Sequence, residues 1–265
     1  MRGSLLTNVF TKAVRDALQW TLIAVVALWL MTLMMVGVFS TFGDEYASIL
    51  GDLPPAMAAI YGENDGSPAG IAMSAMFALM TPIVLLVYAI GLGSSAAVGE
   101  EESRTLALLL TNPVKRAGIM ISKIVVVLIG VVSIALLGWL GVELAASLFG
   151  MDLGGQDVFG ASVQLIGLAL MFGGLAAGLS AWRGSSAVGI GVAAVIALIS
   201  YFVTTLLPVV EELADVARLT PWHLYSGAQA LSQGVDILLL AVAVVIGAAM
   251  LWVGLYTIER RDLKG

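Results

Sequence analysis

The chain has 265 residues, of which 60% are hydrophobic and only 11% charged, and its mean hydropathy is +1.03. Soluble domains carry about a quarter charged residues, so this composition excludes a water-soluble globule and places the chain in a bilayer. With no Cys and a single His, it also excludes disulfides, thiolate nucleophiles and Cys metal sites, and leaves little for a histidine base.

Six apolar runs of roughly 20 residues or more, each enough to cross the hydrocarbon layer as a helix, predict an all-α integral membrane protein in one transmembrane domain, 1–265. No soluble domain of useful size remains, so any ATPase or other engine must be a separate chain. Residues 4–19 place Leu5, Leu6, Val9, Phe10, Ala13, Val14, Ala17 and Leu18 on one side, which predicts an N-terminal amphipathic helix lying at the membrane interface. Span 1, about 20–42, is too long for a signal-peptide core and reads as a retained helix. Residues 43–70 carry five acids and no base, and Pro54, Pro55 and the Gly62 to Gly66 run predict a loop with at most one short helix.

Span 2, about 71–98, leads into the stretch on which the reading turns, 99–118. Gly99 is suited to ending a helix. Glu100, Glu101 and Glu102 fit the first turn of a new helix, where carboxylates complement the dipole. Leu106, Leu109 and Leu110 fall on one face of that helix. Pro113 ends it, and Asn112 with Pro113 suits the start of the next helix. A short amphipathic helix between two spans needs something to cover its apolar face.

Span 3, about 119–149, contains Glu143, the one acid well inside an apolar run and a candidate for a translocation path. Spans 4 and 5, about 162–182 and 185–207, are separated by little more than Arg183 and Gly184, so they form an antiparallel hairpin. Gly167, Gly173, Gly174, Gly178 and Ser180, with Gly189 and Gly191, offer small-residue faces for close helix packing. Between spans 5 and 6, Val209 to Ala217 fit a half-apolar helix at the outer interface, with Trp222 and Tyr225 as aromatic anchors. Span 6 is about 235–258. Met31, Met34 and Met35 in span 1 and Met73, Met76 and Met80 in span 2 read as gap-filling side chains rather than a soft-metal site.

Eleven of the twelve basic residues lie on the side of both termini and the 99–118 loop, leaving only Arg218 opposite. That asymmetry predicts cytoplasmic termini and a cytoplasmic loop in a multi-pass protein of the cell membrane. The opposite side holds eleven acids, an excess that would suit a high-salt habitat.

The run Glu101, Thr105, Leu106, Leu108, Leu109, Leu110, Pro113, Val114, Arg116, Ile119 and Lys123 resembles the cytoplasmic loop of ATP-binding cassette (ABC) transporter permeases of the type-2 exporter superfamily. Nitrous-oxide-reductase maturation permeases and sodium-efflux permeases are suggested as relatives, and Arg104 stands where Gly is commoner in the pattern. The resemblance implies a non-catalytic permease with an interfacial elbow helix and a coupling helix. It also implies a separate nucleotide-binding subunit holding ATP and Mg, a second permease chain as a homodimer, and no cofactor or nucleic acid on this chain. By that resemblance, Glu100, Glu101, Glu102, Arg104, Thr105, Leu106, Leu109, Leu110, Pro113, Lys115 and Arg116 would meet the ATPase. Lys115 and Arg116, which oppose the dipole of the helix they begin, then find an answering charge.

The alternatives are an intramembrane protease and a non-catalytic scaffold. A Glu-Glu-x-x-x-Arg protease motif would need Arg at the place held by Thr105 or Leu106, whereas Arg104 comes too early and His223 lies on the opposite side.

Overall fold

The structure is a computed structural model that describes residues 2–51, 54, 57, 65–102, 116–225 and 227–260. Among them the elements are α1 (Arg2–Gly51), α2 (Pro68–Ala75), a π-helical turn (Met76–Met80), α3 (Thr81–Glu102) and α4 (Arg116–Phe149). After these come α5 (Val158–Arg183), α6 (Ser186–Leu206), the short α7 (Ala214–Ala217), α8 (Gly227–Gln233) and α9 (Ile237–Arg260). Six helices are long and apolar enough to cross a membrane, and no strand occurs among the described residues. The fold is therefore an all-α multi-span membrane protein.

Three expectations about element boundaries are corrected. The interfacial helix and span 1 are one unbroken helix of 50 residues, about 75 Å long at 1.5 Å per residue. No Pro interrupts it, and Ala13 and Ala17 pack against Val126 of α4 beside Leu92 of α3, so part of the N-terminal apolar face is covered by protein rather than lipid. The helix also continues past Gly43 to Gly51, into the expected loop. Gly99 does not end span 2; α3 runs through it, so Glu100, Glu101 and Glu102 form its last turn instead of the first turn of a new helix.

The centre of the bundle is α5, which packs against α3, α4, α6 and α9. Small residues make this possible. A Cβ on Gly174 or Gly178 would collide with the backbone oxygens of Gly247 and Met250, and one on Gly247 would lie 2.6 Å from the Leu170 oxygen. On the α3 side, a Cβ on Gly93 would sit 2.7 Å from the Gly173 oxygen. Backbones that approach this closely gain dispersion contact without the apolar driving force that water would supply. Of the two span-5 glycines, Gly189 faces Ala176 and Ser180 on α5, while Gly191 has open space around it.

The α5–α6 hairpin is as tight as expected. Gly184 caps α5 at φ +67°, a left-handed conformation, and its N–H donates to the Ser180 oxygen at 2.8 Å. The two ends of the bundle differ in charge: one gathers Lys12, Lys123, Arg183 and Arg260, the basic end, and the other Asp65, Asp152, Asp157 and Asp236, the acidic end.

Candidate functional site

At the basic end, three carboxylates occupy the final turn of α3, where their charge opposes the negative end of the helix dipole. Other helices answer it. Lys123 Nζ of α4 donates to Glu100 Oε1 at 2.9 Å, and both side chains are largely buried; Lys12 Nζ of α1 reaches the same oxygen at 3.4 Å from a more exposed position. Glu102 receives the Ser186 N–H at 2.8 Å and the Ser186 hydroxyl at 2.6 Å. Ser185, the N-cap of α6, makes no side-chain cap of its own, so Glu102 does that work from a neighbouring helix. One turn thus ties α1, α4 and α6 to the end of α3.

The remaining loop candidates, Arg104, Thr105, Leu106, Leu109, Leu110, Pro113 and Lys115, lie outside the described residues. Arg116 opens α4.

In the apolar middle, a groove of about 350 Å³ runs between α3 and α6, lined by Leu79, Ile83, Val87, Ala194 and Leu198, with Tyr201 and Trp222 toward the acidic end. A second recess of about 200 Å³ lies among α3, α4, α5 and α9, at Gly93, Val127, Gly173 and Gly247. Both are almost wholly apolar. Glu143 lines neither: it is exposed on α4 and accepts a hydrogen bond from Trp139 Nε1 at 3.1 Å, one turn away. The methionines divide between core and surface: Met73 and Met76 are buried in one cluster with Met35 packed against it, while Met34 is 73% exposed.

The acidic end corrects a further expectation. Trp222 and Tyr225 are not lipid-facing anchors; they are buried, and Tyr225 is 1% exposed. Short 3-10 turns at Leu207–Val209 and Pro221–Leu224 fold the segment between α6 and α9 back onto the bundle. Tyr225 Oη donates to the Phe77 oxygen at 2.7 Å, Gln164 Nε2 donates to the Leu224 oxygen at 2.8 Å, and the Thr204 and Thr220 hydroxyls are hydrogen-bonded. Trp222 meets Tyr201 edge to face at 5.1 Å. Non-helical backbone is tolerated near membrane depth only when protein covers it and satisfies its polar groups, as here. His223, in the same turn, is held below its usual range by burial and by the Arg218 charge, which favours neutral imidazole. Sequence reasoning missed Gln164 and the groove residues. An isolated Gln in an apolar span was the available signal for the first; the groove has none, since its lining is as apolar as the lipid-facing surface.

A family model described as ABC-2 family transporter protein matches residues 5–263. The chain belongs to that family. Comparison with curated proteins finds no match. As an ABC-2 transporter protein, the chain is the membrane-spanning permease component of an ABC transporter, and the family implies an ABC ATPase partner.

Proposed function

We propose that this permease is the membrane half of an ATP-driven exporter, coupled through residues 99–118 to a nucleotide-binding subunit that holds ATP and Mg. Two copies of the chain face each other with two ATPases. The basic end lies in the cytoplasm with both termini, in the cell membrane. The single observation that carries the coupling role is the last turn of α3, whose Glu100 and Glu102 carboxylates bind α1, α4 and α6 at the start of that 99–118 stretch. Those two carboxylates relay motion within the chain, while Arg104 to Arg116 make the contact with the ATPase. The almost wholly apolar groove between α3 and α6 supports an apolar or amphiphilic cargo.

The test is Leu109→Asp. A charge pressed into an apolar cleft of the partner loses its water at a cost of several kcal/mol, enough to weaken an interface by roughly a thousandfold. Membrane-inserted Leu109→Asp should lose ATPase pull-down and ATP-dependent transport while expressing normally. Wild-type values for both remove the loop as the coupling element.

A further inference from the structure

Pro82 sits one residue inside α3 and has no N–H to give. The chain adjusts by forming the π-helical turn Met76–Met80, in which the Thr81 N–H goes back five residues to the Met76 oxygen. Phe77 is thereby left without a helical donor at the two usual places: the N–H four residues ahead is already used, and the residue five ahead is Pro82. A bare carbonyl in a buried, water-poor place is strongly disfavoured. The missing donor comes from 148 residues away, the Tyr225 hydroxyl at 2.7 Å, in a fully buried bond.

Tyr225 belongs to the turn that holds Trp222 over the acidic end of the α3–α6 groove. Gln164, itself 1% exposed, anchors the same turn to α5 through the Leu224 oxygen. Trp222 therefore lines the acidic end of the groove, and its turn is fastened to span 2 at a carbonyl just ahead of Pro82.

We propose that Tyr225 is the latch of an outer gate: its hydroxyl on the Phe77 carbonyl keeps the 221–225 turn closed over the groove, and release of that bond opens the groove toward the acidic side. The π-helical turn is the moving part, because the carbonyl it exposes accepts either the tyrosine or an entering water. The latch rests on the reading of the groove as a transport path, but its opening can be measured without transport.

The chain has no Cys, so a single reporter thiol is unambiguous. Ala197→Cys places one in the groove at a site that is 6% exposed, and Met57→Cys places a control at a 56% exposed position of the acidic end. Labelling by a membrane-impermeant maleimide from the acidic side is followed in full-length protein reconstituted in vesicles. Tyr225→Phe keeps the ring and removes only the hydroxyl. It should speed labelling of the Ala197→Cys reporter by about tenfold, the loss of one buried hydrogen bond, and leave the Met57→Cys rate unchanged. Pro82→Ala restores an N–H five residues beyond Phe77 and makes the tyrosine redundant, so in that background Tyr225→Phe should accelerate labelling less than twofold. Equal labelling of Tyr225→Phe and its parent overturns the latch, as does the same acceleration with and without Pro82. If Tyr225→Phe alone fails to fold, recovery of folded protein by adding Pro82→Ala supports the pairing and failure to recover it overturns the pairing. Parent protein that labels as expected but shows no ATP-driven transport rejects the exporter and leaves the latch standing.

Discussion

Glu102 shows how one side chain can serve two helices. Its position at the end of α3 is locally unfavourable, and the Ser186 N–H and hydroxyl make it favourable at the start of α6. Glu102→Ala should lower stability by about 1 kcal/mol, the usual size of a lost N-cap, and Glu102→Gln by less, since an amide oxygen still accepts from the backbone. Thermal melting in detergent checks both; equal melting of Glu102→Ala and wild type would show that Ser186 is capped by water instead. The acids at the opposite end have a related explanation. Asp157 accepts from the Gly160 N–H at 2.7 Å, Asp236 from Leu239 at 2.9 Å, and Asp152 from Gly154 at 2.9 Å. Asp65 accepts from the Ser67 hydroxyl at 2.6 Å, which with the Ser67 backbone N–H holds its carboxyl below the usual range. Four of the eleven acids on that side are thus engaged in turn and cap chemistry, whatever the habitat.

At the level of elements, the GxxxG pair at Gly174 and Gly178 is legible in sequence, but its partner is not. The structure pairs it with α9, where a Cβ on Gly254 would lie 2.9 Å from the Gly178 Cα. Gly174→Leu has only backbone to displace, so it should force α5 and α9 apart and cost about 3 kcal/mol or more. Gly191→Leu, with nothing within 4 Å, should change the stability of the chain by no more than about 0.5 kcal/mol. Size-exclusion profiles and melting temperatures of the two variants make the comparison; matched behaviour would mean that close approach at Gly174 contributes nothing. The same logic explains α1. Its amphipathic N-terminal stretch reads as a helix lying on lipid, and the structure divides that face: Ala13 and Ala17 are buried beside Val126 and Leu92, while Val14 and Leu18 stay exposed.

For the molecule as a whole, helix polarity and basic asymmetry together fix a testable orientation. A thiol at Met57→Cys should label from outside intact cells, and one at Ala117→Cys only after the cytoplasm is opened; exterior labelling at Ala117→Cys would invert the assignment. Six spans, the tight Arg183–Gly184 hairpin and the acidic and basic ends were all readable in the chain, because span length, Gly at a helix end and charge bias are local properties. The end of α3 was misread for the opposite reason. Local rules put three carboxylates at a helix start, and the ion pairs with Lys12 and Lys123 and the bond to Ser186 that reverse that preference come from residues up to 88 positions away. Tyr225 was read as a lipid anchor because an aromatic residue near an interface usually is one, and only the Phe77 carbonyl left bare by Pro82 gives its hydroxyl a buried acceptor. Sequence by itself determined that this chain spans a membrane six times and which end is basic. Tertiary structure decided which spans touch, where the groove lies and what lines it, because in an apolar medium those depend on shape and on a few long-range hydrogen bonds, neither of which leaves a periodic signal in the chain.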